Sequence, residues 1–392
     1  MLKKELELRI LLLQEKIEKN SMEAYIVTAE EDIWYLTGIT YRPEERPFFI
    51  VVSPKQKPIL VVPKLEEAHV HKGIIDCEII AYWEYPSPLG KNWYDILNGI
   101  LERFSRVGIE VNVKSDVFFN IEAKELVRAK LVAEQRQVKS PLELKMIRSS
   151  AKICDETMGT LFNSVYPGVS VIETFAISKN VQNGLIRAGN FDPITTTLLT
   201  VAWPAPLSAM PHSIPGLNDR LGQGPNLAMC YFRINGYASE CERTFFLKPP
   251  SVDEQELFQH MMNARDKALG KLKAGVRAAD IDAEAREYLI SKGLEERLLH
   301  RTGHGIGLGN HEPPYIAEGS QDILQENMVI SIEPGIYVEG LGGFRHSDTV
   351  LITKDGYELL TAFPRNIEDV TINKSNWGSR IKGSIIRKYL KL

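Results

Sequence analysis

The sequence lacks the features that define several protein classes. No two of its four cysteines form a CxxC pair, so a disulfide framework is not predicted and the thiols are expected to be reduced. Its N-terminal apolar run, Ile10 to Leu13, is too short for a signal peptide, and no run reaches the roughly 18 apolar residues that span a bilayer. The net charge of −4 carries no footprint for nucleic acid. These absences predict a cytoplasmic protein with neither nucleic acid nor a membrane as partner.

Two motifs of common enzyme classes are also missing. The chain contains neither a G-x-x-x-x-G-K-[ST] phosphate loop nor a G-x-S-x-G nucleophile elbow. The stretch GHGIGLGN fails the dinucleotide spacing, because Gly305 and Gly307 would need a glycine where Asn310 stands. Nucleotide binding and covalent serine catalysis are therefore disfavoured.

The length and composition favour two globular domains. The chain has 392 residues, of which 44% are hydrophobic and 25% are charged, and this is too long for one ordinary core. Short β-branched runs alternate with helical patterns in its first third, which predicts an α/β layout. The predicted strands are 24–29, 47–53, 58–63 and 106–111, and the predicted helices are 2–20, 64–72, 92–104 and 116–129.

The second domain is predicted to begin near Ser140. Ser140, Pro141 and Glu143 form a capping box with proline at the first helical position, and Asn235-Gly236 is the strongest hairpin signal in the chain. This pattern predicts an α+β domain with antiparallel hairpins. The predicted helices are 141–163, 252–273 and 278–292, with strands at 226–234, 236–248, 327–333 and 344–353. The predicted domains are 1–137 and 138–365, followed by a basic tail, 366–392, that is solvated or docked.

Ionisable side chains gather in the motifs of the second domain. Glu240 and Glu242 lie two residues apart and so share one face of a strand, and Glu333 ends another strand before a Pro-Gly pair. Four histidines lie in glycine- and proline-rich stretches: His212, His304, His311 and His346. The other four, in helical or surface patterns, are predicted to be structural: His69, His71, His260 and His300.

The order and spacing of five motifs resemble the "pita-bread" superfamily of Xaa-Pro dipeptidases, aminopeptidases P, methionine aminopeptidases and creatinases. These motifs are PHSIP (211–215), NGYASECERTFFL (235–247), TGHGIGLGNHEPPYI (302–316), ISIEPGIY (330–337) and GGFRHSDTVLIT (342–353). The stretches 31–39 and 138–156 are similar to the N-terminal domain and the domain junction of the prolidase and creatinase branches. The resemblance implies a creatinase-like α/β domain followed by a pita-bread catalytic domain.

The resemblance implies an altered metal site. Peptidases of this superfamily hold two divalent metals with two aspartates, one histidine and two glutamates. Their ligand positions fall here on Met229, Glu240, His304, Glu333 and Ser347. A thioether and a hydroxyl are poor ligands for such ions, so the paired site is expected to be lost. Three convergent carboxylates would still repel one another, so the pocket is expected to hold one positive guest.

The guest has two candidate identities. One is a single divalent metal (Mn, Zn, Co or Fe) held by Glu240, His304 and Glu333. The other is an organic cation without any metal, as in creatinases, whose ERT pattern matches residues 242–244. The resemblance then implies that Glu242 and Glu333 bind the cationic group and that His212 moves the proton.

Further substrate contacts follow from the same resemblance. Arg46 would bind a carboxylate across a homodimer interface, His311 would donate a hydrogen bond to the substrate, and Arg345 would orient Glu240 or Glu242. Two positions depart from creatinases: Tyr315 replaces an arginine on the substrate side, and Ser347 replaces a histidine.

The leading hypothesis is a creatinase-like hydrolase of a C–N bond, metal-free or metal-poor, acting on a small substrate with a cationic group and a carboxylate. The alternative is an Xaa-Pro dipeptidase or aminopeptidase that uses one divalent metal and takes a dipeptide. A third hypothesis is a non-catalytic peptide-binding protein that keeps the fold.

Overall fold

The structure is a computed structural model that describes residues 2–42, 44–70, 75–84, 86–373 and 377–390. His71 and parts of the predicted basic tail, 374–376 and 391–392, lie outside these ranges. The chain divides into two compact units, Met1–Arg136 and Gln137–Leu392. Each unit has its own hydrophobic core.

The first unit contains a six-stranded mixed sheet. Its central strands are buried along their whole length, as expected for β-branched strands covered on both faces. The strands are β1 (Ala24–Val27), β2 (Phe49–Val52), β3 (Ile59–Pro63), β4 (Glu78–Tyr82), β5 (Arg106–Glu110) and β6 (Glu125–Ala129), in the order β4-β3-β2-β1-β5-β6. The helices are α1 (Leu2–Lys19), α2 (Glu30–Thr37), α3 (Glu67–Val70), α4 (Trp93–Leu101), α5 (Ser115–Phe119) and α6 (Leu131–Gln137), with a 3-10 turn at Lys64–Glu66.

One predicted helix of this unit is wrong. Residues 116–129 form the short helix α5 and then the edge strand β6, which pairs in parallel with β5. The segment has helix-forming residues, but pairing with the neighbouring strand overrides their local preference. Within the helix predicted at 64–72, the described residues 64–70 form a 3-10 turn followed by the single turn α3, and residues 71–72 lie outside the described ranges.

The second unit is built on an eight-stranded sheet beside a two-stranded one. The strands are β7 (Thr197–Trp203), β8 (Asn226–Ile234), β9 (Tyr237–Phe245), β10 (Gly303–Gly305), β11 (Glu312–Ile316), β12 (Val329–Ile332), β13 (Gly335–Val338), β14 (Gly342–Arg345), β15 (Ser347–Ile352) and β16 (Tyr357–Leu359). The sheet order is β11-β10-β12-β15-β9-β8-β7, with β16 on β15, while β13 pairs with β14. The helices are α7 (Pro141–Ser164), α8 (Val171–Phe175), α9 (Ile177–Arg187), α10 (Val252–Gly270), α11 (Ala278–Ile290) and α12 (Trp377–Leu390). Short 3-10 turns lie at Leu207–Ala209 and Glu295–Arg297.

Two local predictions for this unit are confirmed. The Ser140 Oγ atom accepts from the Glu143 amide at 3.3 Å while the Glu143 carboxylate accepts from the Ser140 amide at 3.0 Å, so the capping box starts α7. Asn235 and Gly236 adopt φ of 49° and 91° between β8 and β9, the left-handed backbone that a tight hairpin turn requires. The resulting register places Met229 opposite Glu242 and Tyr231 opposite Glu240.

Three cysteines lie in the core of the second unit. Cys154, Cys230 and Cys241 are buried between α7 and the sheet, and Cys77 is half-buried. All four are free thiols. Across the residues that the structure describes, no helix is both long enough and apolar enough to cross a membrane.

Candidate active site

A pocket of about 450 Å³ opens above the β8–β9 hairpin. The antiparallel register brings the same face of both strands to it, because Met229, Tyr231, Glu240 and Glu242 all line its wall. The remaining lining residues come from the loops after β7 and α11 and from the region of β10 to β14: Pro211, His212, Ser213, Ile214, His300, Arg301, His311, Glu333 and Arg345, with Leu199 and Trp203 of β7.

Glu242 is bound by a cation from its own chain. Arg345 donates to both oxygens of the Glu242 carboxylate, from Nε and, at 2.8 Å, from Nη2. Its Nε also lies 3.9 Å from Glu333 Oε2. Both partners are buried, and a bidentate guanidinium–carboxylate pair is the strongest common form of this contact. In this structure Arg345 occupies both oxygens of the Glu242 carboxylate. That Glu242 binds a cationic group of a substrate stays a prediction.

Arg345 is held in turn by a short hydrogen-bonded chain. Its Nη1 donates to the Tyr337 hydroxyl at 3.0 Å, and this hydroxyl lies 2.7 Å from His300 Nε2. The other ring nitrogen of His300 donates to the Arg301 carbonyl, with Nδ1 and the oxygen 2.6 Å apart. His300 Nε2 is therefore the acceptor, and the Tyr337 hydroxyl donates its own proton to it. This sequence of donors orients Arg345 toward Glu242.

Glu240 lies beside a different pair of donors. The hydroxyls of Ser331 and Ser347 both donate to Glu240 Oε1, and the two serine oxygens are 2.9 Å apart. Burial raises the pKa of Glu240, whereas the charge of His304 and the two hydroxyls lower it. Ser347 thus serves Glu240 as a neutral donor.

His304 lies between Glu240 and Glu333. Its Nδ1 donates to the Gly305 carbonyl at 3.1 Å, so Nε2 is the atom that faces the carboxylates, 3.2 Å from Glu333 Oε1 and 3.7 Å from Glu240 Oε1. This buried Nε2 makes no hydrogen bond of good geometry within the described residues. A lone pair directed at two carboxylates is repelled, so Nε2 must carry either a proton or a cation.

The charges of this cluster favour the protonated form of His304 when nothing else is bound. Burial lowers its pKa, but Glu240 and Glu333 together raise the pKa of His304 to about 9. Burial would raise the pKa of Glu333, yet His304 and Arg345 hold that pKa well below its usual range. Burial raises the pKa of Glu242 to about 7 although Arg345 opposes it, and burial and His304 lower the pKa of His311 to about 4.

The donor set fits one divalent cation. Glu240, His304 and His311 each offer a ligand atom, and these atoms lie within 4.8 Å of one another. Glu333 reaches the same His304 nitrogen. Within the described residues the buried His304 Nε2 has no hydrogen bond of good geometry, and imidazole with carboxylate is a usual ligand set for Zn, Mn, Co or Fe.

Two positions at which the family resemblance predicts ligands of a second cation carry no charge. They hold the Met229 thioether and the Ser347 hydroxyl, which are poor ligands for divalent ions. Met229 lies directly opposite Glu242 on the hairpin, and the charge of Glu242 is already matched by Arg345.

Tyr315 and His346 of the second unit are not among the residues that line this pocket. Tyr315 is exposed on β11, and its ring is covered by the guanidinium of Arg301, 4.8 Å from the ring centroid. Arg46 belongs to the first unit, where it pairs with Glu45 and Glu84; its contact across a homodimer stays a prediction. His346 is buried, packs on Phe258 and lies outside the pocket lining.

Sequence reasoning missed several residues of the site. His300, which is predicted to be structural, lines the pocket and completes the chain to Arg345. The sequence analysis also misses three further residues of the site, namely Arg301, Tyr337 and Ser331. Ser331 and Tyr337 belong to the quoted ISIEPGIY motif. Arg243, the neighbour of Glu242 in sequence, binds Asp348 at 2.8 Å, and Arg265 binds the same carboxylate at 2.5 Å.

Comparison with known proteins places these features in a family. Residues 145–354 match metallopeptidase family M24, and residues 9–138 match the creatinase/prolidase N-terminal domain. An uncharacterized peptidase of Staphylococcus aureus is 28% identical over 365 residues, which are 90% of this chain and 98% of that protein.

Solved structures agree with this assignment. The prolidase of Thermococcus sibiricus is 25% identical with a TM-score of 0.80, over 93% of this chain and 98% of that one. A dipeptidase of Pyrococcus horikoshii is 26% identical with a TM-score of 0.76, over 94% and 99% of the two chains. The predicted creatinase-like α/β domain followed by a pita-bread domain is confirmed.

Proposed function

Because the chain belongs to metallopeptidase family M24, we propose that it is a peptidase that hydrolyses a short peptide with a free carboxylate and uses one divalent cation. Glu240, His304 and Glu333 would hold this cation, with His311 beside them. The observation that carries the proposal is the buried His304 Nε2, which faces two carboxylates and has no hydrogen bond of good geometry within the described residues.

In this proposal Arg345 supplies the positive charge that a second cation would otherwise provide. The pair Glu242–Arg345 is neutral as a unit, so Glu240 and Glu333 are the carboxylates whose charge is left to balance. One divalent ion would neutralise both and would replace the proton on His304.

The residues around the cation would activate the attacking water and protonate the leaving nitrogen. When bound, the cation would act as a Lewis acid on the scissile carbonyl. Glu333, whose Oε2 lies 3.9 Å from Arg345 Nε, would stay ionised and accept a hydrogen bond from the attacking water, and His212 can take the proton of this water. His212 is exposed on the pocket wall and can deliver a proton to the leaving nitrogen, as a histidine suits both directions of transfer near neutral pH.

Arg301 is suited to bind the substrate carboxylate. Its side chain lines the pocket and is held against the Tyr315 ring, while its buried Nε has no hydrogen-bond partner in the described part of the chain. A planar guanidinium with a free edge binds a carboxylate well. We expect Arg301→Ala to raise KM about tenfold or more for a peptide with a free C-terminus, with little effect on its C-terminal amide.

The cation is tested by elemental analysis and by calorimetric titration of chelator-treated protein with Mn²⁺. We expect one ion per chain, cleavage of Xaa-Pro dipeptides only with the ion present, and loss of binding in His304→Ala. The matched control His260→Ala changes a half-buried histidine of α10 and should bind normally. Two ions per chain, or full activity after chelation, would contradict the proposal.

A second candidate function, a metal-free creatinase-like hydrolase of a C–N bond, is favoured by a specific observation. Protonated His304, with its pKa raised to about 9, offsets one of the two negative charges of Glu240 and Glu333 without a metal, and His212 lines the same pocket. Turnover of amidino or amino substrates by metal-stripped protein would support it. Tight binding of peptides with no turnover of either substrate class would instead support a non-catalytic peptide-binding protein.

A further inference from the structure

The C-terminal helix α12 has one face against the protein and the opposite face in solvent. On the docked side, Gly383 is buried and approaches Glu173 and Tyr166 so closely that a Cβ atom would clash with both. Arg387 donates to the Glu173 carboxylate and, at 3.3 Å, to the Tyr166 hydroxyl. These contacts fix which side of α12 faces outward.

The outward side carries a stripe of large apolar residues at every fourth position. Trp377, Ile381, Ile385 and Tyr389 are 76%, 43%, 64% and 85% exposed. Since four residues advance a helix by slightly more than one turn, the four side chains form one row along α12, on the side away from Gly383. A contiguous row of exposed aromatic and aliphatic side chains is typical of an interaction surface.

The sequence of this segment carries charge of one sign. Lys388 is exposed on α12 and lies next to the row because it precedes Tyr389 and follows Ile381 by seven residues, whereas the Arg380 guanidinium stacks on the docked side, 5.4 Å from the centroid of the Tyr166 ring. From position 374 onward the sequence contains six cationic side chains and no acidic one, although the whole chain has a net charge of −4. Positive charge is thus concentrated at this helix.

We propose that α12 binds an anionic lipid surface, lying in the plane of the headgroups with the Trp377–Tyr389 row inserted. An amphipathic helix with a cationic flank and Trp or Tyr beside aliphatic residues is suited to this interface. A second copy of the chain is a poorer occupant, because stripe-to-stripe packing would bring the two sets of cations together with no acid in the tail to pair them. The inference revises the prediction that no membrane is a partner, and it is independent of the proposed peptidase function.

The test is co-sedimentation of the full chain with vesicles. One set contains equal parts of phosphatidylglycerol and phosphatidylcholine, and the other contains phosphatidylcholine alone. We expect binding to the anionic vesicles only, weakened by added NaCl because exposed charges are screened.

Two variants separate the apolar and cationic contributions. Ile381→Glu with Ile385→Glu should lower vesicle partitioning by about tenfold or more, and Lys388→Gln should lower it about fivefold. The matched control, Phe119→Glu with Val252→Glu, makes the same chemical change at two exposed sites on other helices and should bind as the parent does. Far-ultraviolet circular dichroism and the melting temperature confirm that each variant is folded.

Three results would overturn the proposal: no binding to anionic vesicles, equal binding by parent and Ile381→Glu/Ile385→Glu, or a concentration-dependent dimer in sedimentation velocity that this variant abolishes. Binding to poly-glutamate without binding to vesicles would also overturn it, in favour of an acidic protein partner. Peptidase activity is not a readout here, so a failure of this inference leaves the proposed function untouched.

Discussion

Replacing Arg345 with methionine tests whether this side chain is the internal counterion of the pocket. Arg345 and Glu242 are buried, and the guanidinium contacts both carboxylate oxygens. Removing one partner of a buried pair leaves an uncompensated charge and typically costs about 3–5 kcal/mol. For a unit of this size we expect the melting temperature to fall by about 10 °C.

The size of the loss should depend on pH in a defined direction. Glu242 has a pKa raised to about 7 even beside Arg345, and without the cation that pKa must rise further. At pH 5 the Glu242 carboxyl of the variant is then protonated and neutral, so the loss should be small. At pH 8 the folded variant must either bury an ionised Glu242 without a partner or hold a proton that the unfolded chain releases. The loss of stability should therefore be largest at this pH.

Two further proteins make the test sharp. Arg345→Met with Glu242→Gln removes both charges and should recover most of the lost stability. Mn²⁺ should stabilise Arg345→Met more than the parent, because Glu242 and Glu333 then offer a second cation position. The matched control Arg265→Met breaks another buried pair while Asp348 keeps Arg243, so Mn²⁺ should not restore it. A parent-like melting temperature for Arg345→Met at pH 8, or no recovery in the double variant, would refute the reasoning.

Two other predictions concern buried polar groups. Burial and Asp32 raise the pKa of Glu110 from 4.5 to about 8, so the folded state holds a proton that the unfolded state releases, and stability falls as the pH rises through this window. Glu110→Gln should therefore stabilise the first unit by on the order of 1–4 kcal/mol at pH 8 and by almost nothing near pH 4 in urea unfolding; equal gains at both pH values would contradict this. Tyr337→Phe leaves His300 Nε2 and Arg345 Nη1 without their shared hydroxyl, so we expect a loss of about 1–3 kcal/mol in the same assay, and an unchanged midpoint would argue against the hydrogen-bonded chain.

Local signals explain which parts of the fold were predictable. The Asn235-Gly236 dipeptide and the Ser140 capping box act within a few residues, so the hairpin and the start of α7 follow from sequence alone. Strand β6 was predicted as a helix because its structure depends on pairing with β5. Helix α12 was missed because Gly378 and Gly383 obscure its pattern.

The site was predictable in its charges but not in their pairing. Motif positions name Glu240, Glu242 and Glu333, and the need for a positive partner follows from repulsion among them. The identity of that partner depends on a contact between Glu242 and Arg345, which are 103 residues apart. It also depends on the contact between His300 and Tyr337, which are 37 residues apart. Such contacts are set by sheet order and loop paths, which short-range patterns do not encode.

The cross-strand position of Met229 limits which side chains the pocket can accept there. An aspartate there would face Glu242 directly on the same side of the sheet, and adjacent like charges on neighbouring strands destabilise a fold. A glutamate in place of Ser347 would likewise enter beside Glu240 and remove its hydroxyl donor. Each single substitution toward a paired-metal ligand set thus adds a buried negative charge before the other ligands are present, so we expect Met229→Asp and Ser347→Glu each to lower the stability of the second unit.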